Sequence, residues 1–141
     1  MRTSLSPDRL LGVVELQNEI AATALDLDQV MALVAERSQA LIGAAAAVVE
    51  IAEGDEMVYR VASGTAEPFL GLRLRIDASL SGLCVRRGEV LHCRDATHDP
   101  RVDLDVCRRV GAMSMLCVPL RHGDRVVGVL KVYDPEPRGV R

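Results

Sequence analysis

Two apolar runs joined by a tight turn set the strongest constraint on how this chain folds. Within GAMSMLCVPLRHGDRVVGVLKVYD (Gly111–Asp134), Met113–Arg121 and Arg125–Tyr133 read as β-strands around His122-Gly123-Asp124. In the first, Met113, Met115, Cys117 and Pro119 alternate with Ser114, Leu116, Val118 and Leu120; in the second, Val126, Gly128, Leu130 and Val132 alternate with Val127, Val129, Lys131 and Tyr133. Both faces are largely apolar, so both must be covered, and the hairpin belongs at the centre of a sheet. Its register hangs on the turn. A two-residue turn at Gly123-Asp124 sets Met115 opposite Val132, and a three-residue turn sets it opposite Lys131.

The preceding chain supplies the cover. Leu5–Ala24 has near-helical apolar spacing after Ser6-Pro7-Asp8, and a second helix runs from Asp26 or Asp28 to Ile42. Its expected inward face is Val30, Leu33, Val34, Leu41 and Ile42. Ala45–Glu53 and Glu56–Ser63 flank Gly54-Asp55 as a second hairpin, and Leu72–Ile76 alternates as a short strand. Ser79–Gly82 caps a short helix through Arg87, Val90–Cys93 is a brief strand, and Asp103–Val110 is another short helix stopped by Gly111. Antiparallel pairs after leading helices make an α+β fold. The expected architecture is a central antiparallel sheet of five to six strands, with two long N-terminal helices on one face. Short helices and loops of Leu72–Gly111 cover a pocket on the other.

Composition narrows the function. Aromatic residues are 2% of the chain, which removes a base-stacking surface, and the net charge of −3 removes the electrostatic case for nucleic acid. No apolar run is long enough to span a membrane, and the N-terminus lacks a signal-peptide layout. Cys84, Cys93, Cys107 and Cys117 contain no C-x-x-C and read as reduced thiols in a cytoplasmic protein.

Several short motifs in order resemble the GAF domain, the small-molecule sensing module of bacterial signalling proteins. They are Ser81-Gly82-Leu83-Cys84, Gly88-Glu89-Val90-Leu91, Asp95-(x)4-Pro100-Arg101, Ser114-Met115-Leu116-Cys117-Val118-Pro119-Leu120 and Gly128-Val129-Leu130. The resemblance implies residues 1–24 as a dimerising helix, 25–135 as the domain, and 136–141 as the start of a linker to an output module such as a diguanylate cyclase or histidine kinase. It implies a pocket between the sheet and Leu72–Gly111, with walls from Tyr59, Val61, Leu83, Cys84, Cys107, Met115, Cys117, Lys131 and Tyr133. It also favours the three-residue turn. Lys131 is the odd member, a charge that either escapes to solvent or meets an acidic ligand group.

Other readings are weighed on the same residues. The free methionine-(R)-sulfoxide reductase, a relative of this fold, places two further thiols where this chain has Leu74 and Arg108. It has carboxylates where this chain has Met115, Lys131 and Tyr133, so reductase chemistry is not expected. A redox-sensing pair would best use Cys107 and Cys117. His92, Cys93, Asp95, His98 and Asp99 include metal-ligating types, but His92 and Cys93 point to opposite faces of a strand, and no metal site is expected. The helix starts at Ser79–Gly82 and Asp103 could offer N–H groups to a phosphate. Arg86, Arg87, Arg108 and Arg109 read as solvated pairs, with Arg101 a further anion-gripping candidate. The expectation is a non-catalytic sensor of an unidentified small molecule, homodimeric through its N-terminal helix, with no cofactor specified. A thiol sensor or reductase, and a purely structural dimerisation module, are the alternatives.

Overall fold

The computed structural model describes residues 27–137. Its elements are α1 (Leu27–Ile42), β1 (Ala46–Glu53), β2 (Glu56–Gly64), β3 (Arg73–Arg75), α2 (Leu80–Arg87), β4 (Leu91–Cys93), α3 (Leu104–Val110), β5 (Ser114–His122) and β6 (Arg125–Asp134). All strands pair antiparallel in one six-stranded sheet of order β3-β2-β1-β6-β5-β4, so the first and last long strands meet at its centre. The expected helix Leu5–Ala24 lies outside the described residues.

The sheet divides two cores by strand alternation. On one face Val49, Val61, Leu120 and Val132 pack with Met31 and Ala35 of α1. On the other, Met57, Tyr59, Met115, Cys117, Val129 and Tyr133 pack under α2 and α3 with the loops between them. The layering therefore matches expectation, with the 72–111 segment over the second face. The inward face of α1 agrees at Val30 and differs elsewhere: Met31 and Ala35 are buried with it, whereas Leu33, Leu41 and Ile42 are 49%, 85% and 48% exposed. The inward stripe ends in polar Gln39, whose Oε1 accepts from Ser63 Oγ at 2.6 Å and whose Nε2 donates to the Ala45 carbonyl at 3.2 Å. A pattern search for apolar residues cannot see a stripe that finishes on a hydrogen-bonded amide.

Two bulges decide which residues share a face. In β2 the pairing passes from Val49↔Val61 to Glu50↔Tyr59, leaving Arg60 as the extra residue, ion-paired with Asp28 of α1 at 3.0 Å. Without it Tyr59 and Val61 would face the same way. With it Tyr59 faces the α2/α3 layer and Val61 faces α1, which corrects the placement of Val61 in the pocket wall.

In the final hairpin His122 pairs with Arg125 across a two-residue turn, and a second bulge follows between Leu120 and Arg121. The register is therefore Met115↔Tyr133 and Cys117↔Lys131, which neither turn predicted. Because the observed partner of Met115 lies two residues from Lys131, side-chain parity survives. Met115, Cys117, Lys131 and Tyr133 do share the face toward α2 and α3. The glycine at 128 has a packing reason, since a Cβ there would collide with the Glu50 carbonyl oxygen of β1.

Candidate functional site

The α2/α3 side of the sheet holds a partly open cavity of about 200 Å³. Its floor is Tyr59 of β2, Met115 of β5 and Lys131 of β6, and its roof comes from the start of α2 and from Val106, Cys107 and Val110 of α3. Both roof helices begin on side-chain caps: Ser79 Oγ accepts from Gly82 N at 3.0 Å, and Asp103 Oδ1 accepts from Asp105 N at 3.1 Å. Those caps already occupy N–H groups that a phosphate would need. Gly82 lets α2 approach closely, because a Cβ there would strike the Ile76 carbonyl oxygen.

The floor carries a buried polar cluster. Glu50 of β1 is fully buried and Lys131 is 4% exposed. Glu50 Oε2 accepts from Lys131 Nζ at 3.1 Å and from Ser81 Oγ at 2.6 Å, while Lys131 Nζ also donates to the Tyr59 hydroxyl at 2.8 Å. The ammonium stands 4.8 Å from the Tyr59 ring centre and 5.7 Å from that of Tyr133, within cation–π range of both. Burial alone pushes the Lys131 ammonium toward the neutral form, but attraction to Glu50 and then Tyr59 outweighs it. Its pKa lies well above the ordinary lysine value. Burial raises Tyr59 and Tyr133, so both stay phenols. Two atoms of the cluster, Glu50 Oε1 and the Tyr133 hydroxyl, have no hydrogen-bond partner among the described residues.

Of the expected wall residues, Tyr59, Cys107, Met115 and Lys131 line the cavity. Cys117, Cys84 and Tyr133 are buried in the surrounding core, and Leu83 packs against it half-buried. Cys117 lies behind Ser81, 3.9 Å from its Oγ, and Cys84 donates to the Glu89 carbonyl at 3.1 Å. Lys131 takes neither route expected for it, because its acid comes from the chain itself. Glu50 and Ser81 are the residues that sequence reasoning passed over as site members. The available clue was parity: Glu50 is the one charge inside the apolar run Ala46–Ala52, on the face that also carries Lys131.

The remaining charges are engaged or exposed. Arg73 and Arg75 at the rim pair with Glu53, Glu56 and Asp77 at 3.0–3.2 Å. Arg101, an anion-gripping candidate, instead binds Asp99 at 2.7 Å and the His92 carbonyl at 2.8 Å. Asp99 accordingly sits at about 2, held down by Arg101 hydrogen bonds against the opposing effect of burial. His92 is exposed and Cys93 buried on the two faces of β4. All four thiols are free and buried. Burial pushes Cys84 up to about 11 and Cys93 to about 12, and raises Cys107 and Cys117 as well. Thiols held protonated are poor nucleophiles.

A second, shallower depression of about 410 Å³ lies against the opposite side of β5 and β6, beside Ile42, Ala44, His92 and Arg94. It is larger, but His92 and Arg94 in its lining are exposed and the buried Ser114 hydroxyl is already spent on the Glu136 carbonyl.

The class defined by this fold is a small antiparallel α+β module with its cavity between sheet and covering helices. A sequence model of the GAF domain matches residues 24–141, and the chain belongs to the GAF domain family, whose members are generally sensory or regulatory modules. No curated protein matches the chain. Among solved structures it is similar to the GAF domain of an Acinetobacter phosphoenolpyruvate-protein phosphotransferase, with 16% identity and TM-score 0.69, covering 100% of this chain and 83% of that one. The second GAF domain of DevS from Mycobacterium smegmatis gives 22% identity and TM-score 0.64, covering 82% and 78%. Free methionine-R-sulfoxide reductase from Neisseria meningitidis in complex with its substrate gives 18% and 0.68, covering 100% and 83%. At these identities the likeness is one of fold.

Lys131→Met should cost about 3–5 kcal/mol in urea unfolding, because it leaves a buried carboxylate without its cation. Glu50→Gln combined with Lys131→Met should recover most of that loss, and a double variant no better than the single one would refute the pairing. A second expectation concerns the thiols. Their ordinary pKa is 9.0, so unfolded thiols ionise above that pH while the folded protein keeps its protons. Stability should be intact below pH 9 and decline from there through 11–12, with the raised Lys131 adding to the loss above its ordinary 10.5. At pH 7 iodoacetamide should label the native thiols slowly and all four quickly in denaturant, as followed by mass spectrometry.

Proposed function

We propose that the chain is a non-catalytic sensory domain whose cavity binds a small organic molecule and whose occupancy biases an attached signalling module. The observation that carries this reading is the cavity itself: about 200 Å³ left unfilled over a floor with a buried, charge-paired lysine. An unfilled volume of that size weighs against a purely structural module, in which side chains would close the core. The roof consists of short helices, α2 and α3, so a ligand that binds one roof arrangement better than another shifts their population. The reductase of similar fold does not extend its activity to this chain. Thiols that are buried and held protonated are the opposite of what an attacking cysteine needs, and the same fact weighs against a Cys107–Cys117 redox sensor. We propose a cytoplasmic location, which four free, buried thiols support; no described helix is long and apolar enough to cross a membrane.

The same reading makes the working unit a homodimer joined through the N-terminal segment 1–24. Support comes from Leu33 and Leu41, large apolar side chains of α1 that stay exposed. Packing exposed apolar side chains against neighbouring helices is how helical signalling bundles bury them.

Native mass spectrometry of the purified protein should show a small molecule bound to the wild type and missing from Cys107→Phe, which fills the cavity. A wild type with no bound mass and no thermal shift from a metabolite panel would defeat the sensor reading. Deletion of residues 1–24 should turn a dimer into a monomer by light scattering. A truncated protein that remained dimeric would remove that segment as the interface.

A further inference from the structure

We propose that the cavity selects small uncharged molecules with a hydrogen-bond-accepting head, such as an amide carbonyl, on a short apolar body. The inference rests on reading the cavity as the binding site and names the class of molecule that fits it.

Size comes first. A cavity near 150 Å³ takes a benzene, so about 200 Å³ takes a molecule of about eight non-hydrogen atoms. The walls set the body. Leu74, Leu80, Val102, Val106, Val110 and Met115 present hydrocarbon and a thioether, while the polar side chains Ser79, Ser81 and Asp103 are engaged by the Gly82 N–H, by Glu50 and by the Asp105 and Val106 N–H groups.

The head is set by unspent donors. The Tyr59 hydroxyl accepts from Lys131, and its own O–H meets no acceptor among the described residues. Lys131 has three N–H groups and spends two, on Tyr59 and on Glu50. Both residues line the cavity, so its polar end offers donors and calls for an acceptor.

Charge decides which acceptor. An unpaired buried lysine would favour a carboxylate, but Lys131 already has Glu50 at 3.1 Å, and the floor is neutral as a whole. The rim arginines Arg73 and Arg75 are engaged by Glu53, Glu56 and Asp77. A carboxylate head would add an uncompensated buried charge next to Glu50, at a desolvation cost that its hydrogen bonds do not repay. A neutral carbonyl takes the same donors without that cost.

The test is a matched series titrated by calorimetry against the 141-residue chain: hexanamide, hexanoate and hexylammonium. Hexanamide should bind, Cys107→Phe should abolish that binding, and hexanoate and hexylammonium should each bind at least about tenfold more weakly. In Glu50→Gln the lysine loses its counter-ion while Ser81 keeps an acceptor. The preference should then invert, with hexanoate about tenfold tighter than hexanamide and raising the melting temperature of the variant. Should that variant not fold, the wild-type series still decides. Hexanoate binding the wild type as well as hexanamide would overturn the head-group inference while leaving the cavity reading intact. No binding by any of the three would overturn the inference, and native mass spectrometry would then show separately whether the cavity holds anything at all.

Discussion

The structure depends on one ion pair. Glu50 and Lys131 sit on the two central strands, both essentially out of water, and neither could be buried alone at tolerable cost. Their attraction fixes more than two side chains. The pair holds β1 against β6 in a register that sets Val48 opposite Lys131 and Glu50 opposite Val129. Through Ser81 it docks the start of α2 on the sheet, and through Tyr59 it reaches β2. An apolar pair of equal volume could give comparable stability. It would not give the same directional ties among four elements.

Those ties explain the irregularities around them. The bulge at Arg60 turns the Tyr59 hydroxyl toward Lys131 while letting Val61 fill the other core and Arg60 reach Asp28 on α1. Without that extra residue, β2 could serve the polar cluster or the α1 core, but not both, because alternation allows one face per parity. The bulge near Leu120 does the corresponding work in the last hairpin. It converts the odd register of a two-residue turn into one that puts Cys117 opposite Lys131. Both devices sit on strands that form the cavity floor.

The cavity is therefore part of the packing problem and not an accident on its surface. Covering a charged pair costs desolvation that its mutual attraction and hydrogen bonds must offset, and α2 and α3 close over it with small and aliphatic side chains. The cysteines belong to this lining and core, where burial raises their pKa values. The floor is a buried, charge-paired cluster of Glu50, Lys131, Tyr59 and Ser81 beside an apolar wall.

Much of the fold was written locally. Alternation in Ala46–Glu53 and Arg125–Asp134 specified strands apolar on both faces, and Ser79, Gly88, Asp103 and Gly111 marked the ends of the short helices. The motifs around Ser81-Gly82 and Val118-Pro119-Leu120 pointed to the family. The shared face of Met115, Cys117, Lys131 and Tyr133 was expected through the three-residue turn that the resemblance favours; the turn has two residues, and the bulge near Leu120 restores the same parity. What tertiary structure decided was everything that depends on an inserted residue or on a partner distant in the chain. The bulge at Arg60, invisible to a period of two, moved Val61 out of the site, and the Gln39 amide replaced an apolar position on α1. The fate of Lys131 was settled by Glu50, 81 positions earlier in sequence and 3.1 Å away in space. A single strand records that a charge is buried; only the assembled sheet supplies the opposite charge that makes its burial tolerable.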